Sequence, residues 1–317
     1  MDKTRLSIVL MLFCAGIAVL SIVVMLFRTG ITAHGQSTNH DYVTTDDGTK
    51  LFVKKSGTGP ICIFIHGGPG AWSKSFEGLV GDNLEKNLSM VYYDQRGCGR
   101  SQKAAEGDYS LTRMVKDIDL IREHYGATKV YLMAHSFGGI LALNYALSHP
   151  DRVEGLILVN STLSMRYSIE GQINYINHLL QTNYAAPDST SASLISTFMK
   201  AKKALTQKGL AYKMLSDNKI NVDRVEEIDT QNPSDYDFAK HVFTINDYWR
   251  DYTPMTQEVS LPVLIIAGEK DHSIGKNHFS LFHFTNGNVR KINGGHILYY
   301  EKNKEFITSI LGFIDGN

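Results

Sequence analysis

Short uninterrupted apolar runs alternate along most of the chain with longer segments of helical period. Ile61 to Ile65, Ser89 to Tyr93, Val130 to Met133, Leu156 to Val159 and Val263 to Ala267 carry no charge, are apolar but for Ser89, and are of strand length. Runs of this kind read as strands buried on both faces, as in a parallel sheet covered by helices. Leu111 to Tyr125 and Ile140 to Leu147 lie between them with helical spacing. Tyr42 to Thr45 and Leu51 to Lys54 flank Asp46-Asp47-Gly48, a D-G signal that predicts a hairpin. Val289 to Ile292 completes the set as a last short strand. The expected architecture is a mostly parallel eight-stranded α/β sheet with helices on both faces.

Two stretches depart from this rhythm. From Leu163 to Pro254 the strand-like runs vanish, and polar, tyrosine-rich helical segments replace them. This reads as a helical insertion after the sixth strand. It divides the sheet domain into residues 41–162 and 255–317, with the insertion at 163–254. The second stretch is at the N-terminus. Leu6 to Phe27 carries no charge, Lys3 and Arg5 precede it and Arg28 follows. As a helix it would extend roughly 33 Å, enough to cross a bilayer core. It exceeds the about 7–15 apolar residues of a cleaved signal peptide, and no small-x-small site follows at once, although Ala33 offers one. The reading adopted is an uncleaved signal-anchor: residues 1–5 cytoplasmic, 6–27 transmembrane, 28–40 a tether, and the remainder on the non-cytoplasmic side. Secretion or periplasmic release after cleavage at Ala33 is the alternative.

Composition adds exclusions. The 317 residues are 43% apolar and 20% charged, with 32 basic and 32 acidic side chains. A zero formal charge argues against nucleic acid as a partner, since phosphate binding needs a basic excess. The three cysteines, Cys14, Cys62 and Cys98, form no disulfide framework. Cys62, inside a strand, reads as a small buried hydrophobe. Without an HExxH or paired-cysteine spacing, neither a metal nor another cofactor is expected.

The candidate chemistry falls at the strands' carboxyl ends, where open α/β sheets hold their sites. Val130 to Met133 runs into Ala134-His135-Ser136-Phe137-Gly138 and then a helix. A serine at a strand-to-helix turn, with small residues two positions either side, is a nucleophile elbow. Ala134 stands where glycine is more usual. Ile61 to Ile65 runs into His66-Gly67-Gly68-Pro69-Gly70, a backbone path that frees N–H groups for an oxyanion. The donors would be the Gly68 and Phe137 N–H groups. Asp94-Gln95-Arg96-Gly97-Cys98-Gly99-Arg100-Ser101 follows the next strand, and Asp94 and Arg96 read as braces of that loop. Val263 to Ala267 leads to Asp271, placed to orient a base. Asn293-Gly294-Gly295 leads to His296, on a loop able to reach across the sheet. The set Ser136, Asp271 and His296 supplies nucleophile, orienter and base. His272 lies too close to Asp271 along the chain to be its partner. Glu269 is a reserve acid, and His135 a packing or pocket residue.

Taken together, HGGPG, DQRGCGRS, AHSFGG, GEKDH and GGH resemble the proline iminopeptidase branch of the α/β-hydrolase superfamily, which also contains amino-amide and lactone hydrolases. The likeness spans Asp41 to about Thr162 and about Pro262 onward. It implies an α/β-hydrolase fold with a helical cap, and release of an N-terminal residue, often proline, from short peptides through an acyl-enzyme. It also implies that Ser136, Asp271 and His296 form the triad and Gly68 and Phe137 the oxyanion hole. Family members use cap glutamates to grip the substrate's ammonium, for which Glu170, Glu226 and Glu227 are the candidates; solvated helix faces explain them as well. One departure stands out: Val242 occupies a position beside Phe243-Thr244-Ile245 where a close peptidase relative would carry an acid. Two alternatives stay open: hydrolysis of esters, lactones or amides without a free amine, and a non-catalytic binding protein on the same scaffold.

Overall fold

Apolar runs rich in β-branched and aromatic residues form the central strands β3, β4, β5 and β7, while β1, β2, β6 and β8 each carry charge. The computed structural model describes residues 40–234 and 236–316. The charge-free run at 6–27, the end before it that was expected to be cytoplasmic, and residues 28–39 of the tether expected at 28–40 lie outside the described residues; His40, the last residue of that expected tether, instead opens the first strand. Among the described residues no helix is long and apolar enough to cross a membrane.

Eight strands, β1 (His40–Thr44), β2 (Lys50–Ser56), β3 (Ile61–Ile65), β4 (Ser89–Tyr93), β5 (Val130–His135), β6 (Val153–Val159), β7 (Val263–Gly268) and β8 (Gly287–Ile292), form one sheet in the order β1-β2-β4-β3-β5-β6-β7-β8. β2 pairs antiparallel with both β1 and β4; the pairs from β4 to β8 are parallel. The hairpin and all the strands expected from the sequence are present.

Alternate residues of the central strands face opposite cores. Ile63, Ile65, Val91, Tyr93 and Leu132 pack with α2 (Leu111–His124) and α3 (Gly138–Ser148). Cys62, Phe64, Met90, Tyr92 and Met133 pack on the other face with α1 (Lys74–Leu84) and α8 (Asn303–Ile314). Cys62 and Cys98 are buried free thiols, and burial pushes both up. Full burial of a Leu, Ile or Phe here is worth roughly 1.5–3 kcal/mol, so both faces of the sheet carry large stabilising layers.

Between β6 and β7 come α4 (Met165–Leu180), α5 (Ser191–Gln207), α6 (Lys219–Asp229) and α7 (Asp237–His241), linked by 3₁₀ turns. This helical insertion lies against the loops at the carboxyl edge of the sheet. Ala239 and Tyr236 crowd Gly70 so closely that a Cβ there would meet both at 3.1 Å. Phe238 packs edge-on to Phe137, centroids 5.7 Å apart.

The loop after β4 is braced as its sequence suggests. Asp94 accepts the Ser73 N–H and hydroxyl, each at 2.8 Å, and the Arg100 Nε–H at 2.7 Å. Burial opposes charge on Asp94, but the Arg100 bonds win and hold its carboxyl below the ordinary value. Arg96 is fully buried. Its guanidinium forks onto Asp117 at 2.6 and 2.8 Å and reaches Asp47 of the hairpin at 2.7 Å. One side chain thus ties the β1–β2 turn to α2 and to the loop.

Candidate active site

Ser136 stands between β5 and α3 with φ of 54°, the left-handed region that costs a non-glycine residue about 1–3 kcal/mol and persists only where the surroundings enforce it. The enforcement is visible. The Ser136 N–H donates to Val159 O at 3.2 Å, and its C=O accepts from Thr162 N at 3.0 Å and Gly139 N at 3.1 Å. A Cβ at Gly138 would strike the carbonyls of Ile65 and His66, and one at Gly139 would meet Ser161 Cβ at 2.6 Å. Close approach of helix to strand therefore requires glycine after the serine. Before it, the methyl of Ala134 is accepted, fully buried within β5.

Asp271 follows β7 and is 1% exposed. Its Oδ1 accepts the N–H groups of Ser273 at 2.8 Å and Ile274 at 3.2 Å. That leaves Oδ2 for His296 Nδ1, 2.8 Å away. This bond fixes Nδ1 as the donor and leaves Nε2 as the basic nitrogen. The His296 main chain is pinned as well: its N–H donates to Leu215 O at 2.8 Å, and its C=O lies 3.0 Å from His135 Nε2. His135 is the neighbour of Ser136, and its ring sits 4.6 Å from the His296 ring. The fold thus brings the three expected residues to one end of the sheet, with the acid–base pair made. The Ser136 hydroxyl makes no hydrogen bond to any described residue, His296 included; such bonds commonly tighten only when substrate is bound.

The glycine loop after β3 lies directly on the serine. A Cβ on Gly67 would come within 2.7 Å of Ser136 Cβ. Gly68 has φ of 122°, open to glycine alone among ordinary residues. Among the described residues neither the Gly68 nor the Phe137 N–H has a protein acceptor. For Phe137 that is the normal state of a donor at the start of a helix.

Other candidates lie elsewhere. His272 stacks on Tyr175, centroids 3.5 Å apart. Glu269 is exposed. Glu170, Glu226 and Glu227 are exposed on the inserted helices, and Arg166 and Arg224 engage the first and last of these. Val242 is fully buried in the apolar core, so an acid there would be desolvated. Sequence reading missed the inserted residues that touch the site. Leu215 O holds His296, and Met214 O accepts from Ser273 Oγ at 2.7 Å beside Asp271. Asp229 accepts from Trp72 Nε1 at 2.7 Å, and burial pushes its carboxyl up. Nothing in local periodicity marks these contacts. Among the described residues no group of three or more His, Cys, Asp or Glu side chains could hold a metal ion.

Two histidines near the site are held neutral. His66 Nε2 accepts the Gln95 N–H at 2.9 Å, and His278 Nε2 accepts the Leu163 N–H at 2.9 Å. Burial lowers both, His278 to about 4 from an ordinary 6.5. Protonation would set a donor against a donor. The unfolded chain binds protons near pH 6.5 while the folded one does not. Stability is therefore full above that pH and falls as pH drops toward 4. Melting temperature across this range should decline, and His278→Gln should flatten part of the slope.

This sheet order, with a helical insertion after β6 and Ser, Asp and His in that chain order, defines a class. The chain belongs to the alpha/beta hydrolase fold family, whose pattern matches residues 60–303. Within it the chain is similar to proline iminopeptidases. It is 27% identical to that of Lactobacillus acidophilus over 288 residues, covering 84% of this chain and 94% of the relative. It is 25% identical to that of Thermoplasma volcanium over 269 residues, covering 80% and 88%. A proline iminopeptidase-related protein from Thermus thermophilus superposes with a TM-score of 0.74 at 22% identity, covering 87% of this chain and 97% of that one.

Proposed function

We propose that the protein is a serine hydrolase that releases N-terminal residues, proline among them, from short peptides. The observation that carries the reading is the 2.8 Å Asp271–His296 bond at the rim where Ser136 is held at positive φ. In this reading His296 Nε2 takes the Ser136 proton as Oγ attacks the carbonyl carbon. Asp271 keeps the imidazole in its tautomer and stabilises the imidazolium. The Gly68 and Phe137 N–H groups receive the oxyanion. His296 then hands the proton to the leaving amine, and water, activated by the same base, releases the acid. Similarity to proline iminopeptidases supports the peptide substrate. The charge-free run at 6–27 behind Lys3 and Arg5 supports a catalytic domain tethered to a membrane on its non-cytoplasmic side.

The test separates aminopeptidase from ester, lactone or amide hydrolase. Prolyl-naphthylamide is compared with its N-acetylated form and with short acyl esters. Blocking the amine should lower kcat/KM on the order of 10²-fold or more, because a site built for a polar group rejects the analogue that lacks it. Equal rates for free and blocked substrate would remove the aminopeptidase reading and favour the ester or amide one.

A further inference from the structure

Asn160 directly follows β6, is 1% exposed and has φ of 43°. Its amide is taken up by main-chain groups. It bridges two loops distant in sequence. Oδ1 accepts the Gly268 N–H at 2.7 Å, at the root of the loop that carries Asp271. Nδ2 donates to Gly295 O at 2.8 Å and to His296 O at 3.1 Å. Its own N–H donates to Ile266 O at 2.9 Å. A carboxamide offers one acceptor oxygen and two N–H donors, and both kinds of group are used here. The two loops it joins are already in backbone contact: a Cβ on Gly268 would meet Gly295 O at 2.7 Å and Asn160 Nδ2 at 3.2 Å.

We propose that Asn160 is a positioning residue that fixes the acid loop and the base loop relative to each other, and so aims the His296 ring at Ser136. This rests on the triad reading above. Chemistry dictates the side chain. An aspartate at 160 could still accept from Gly268 but would set a carboxylate against two carbonyl oxygens. A leucine could make none of the bonds. The left-handed backbone also suits Asn or Gly better than most residues. Asn160→Gly therefore deletes the amide while leaving the main chain unstrained.

The test measures kcat and KM, melting temperature, and the rate of fluorophosphonate labelling for Asn160→Gly and the isosteric Asn160→Asp. Ser136→Ala is run beside them, and assays are made well below each variant's melting temperature. A misplacement near 1 Å costs on the order of 10²-fold in rate. The expected result is a kcat about 10²-fold lower in both variants, KM within about threefold of the parent, and labelling slowed by the same factor as kcat/KM. A purely structural role would lower the melting temperature and leave kcat within about threefold in the folded protein, which would overturn the proposal. A raised KM with unchanged kcat would overturn it too. If the glycine variant does not fold, Asn160→Asp decides alone: parental kcat refutes the role of the donated bonds, and the expected loss supports it. Full activity in Ser136→Ala would bring down the triad reading and this inference together. An inactive Ser136→Ala beside a fully active Asn160→Gly would bring down the inference only.

Discussion

Ser136→Ala should lower kcat by about six orders of magnitude, the loss measured when the serine or histidine of a comparable triad is removed. That is roughly 8 kcal/mol of transition-state stabilisation. The fold should survive the change, because the bonds that hold residue 136 are made by its main chain: to Val159 O and from Gly139 N and Thr162 N. The side chain makes none. Melting temperature is thus expected to stay near that of the parent while turnover collapses. What remains should be the contribution of substrate binding and of the Gly68 and Phe137 donors, which act without the nucleophile. KM should change little. Steady-state turnover of the best naphthylamide, beside a thermal melt, checks both halves.

Arg96→Ala should act on stability, with a cost of about 3–5 kcal/mol. The guanidinium is fully buried and forks onto Asp117, itself 2% exposed. Removing it leaves a desolvated carboxylate and frees Asp47 of the hairpin turn. Arg113 still donates to Asp117 Oδ1 at 2.9 Å, which places the loss toward the lower end of that range. In a urea titration the midpoint should fall with little change in slope. Arg96→Met combined with Asp117→Leu should recover much of the loss, since well-packed apolar pairs commonly replace buried ion pairs at small cost. A shift under about 1 kcal/mol in Arg96→Ala would contradict this account of the cluster.

Much of the fold was legible because buried strands have a plain signature. β3 and β4 coincide with Ile61–Ile65 and Ser89–Tyr93, runs that carry no charge and are apolar but for Ser89. α2 was legible at both ends, since the helical spacing from Leu111 to Tyr125 matches the observed Leu111–His124 within one residue; Ser110 caps it through Arg113 N at 3.2 Å. β6 begins three residues before its apolar run, at Val153, because exposed Glu154 breaks the pattern. β8 is an edge strand exposed over all but its last residue, so only its end carried a signal.

The proposed triad was nameable for another reason: each candidate lies within four residues after a strand, and the chain order is that of the family. The links that aim it were not. Asn160, Leu215 and Met214 act through hydrogen bonds to residues far along the chain, and no spacing rule encodes those. The exposed Glu170, Glu226 and Glu227 show the same limit from the other side. Sequence places an acid on an inserted helix, but which face meets the sheet depends on how that helix docks.

The most direct check of the central claim is covalent. The protein is treated with a fluorophosphonate and digested, and the adduct is mapped by mass spectrometry as activity is followed. Modification of Ser136 alone, with activity lost in step with its labelling, is the predicted result. Turnover that persists after Ser136 is fully modified would contradict the assignment of this serine as the nucleophile.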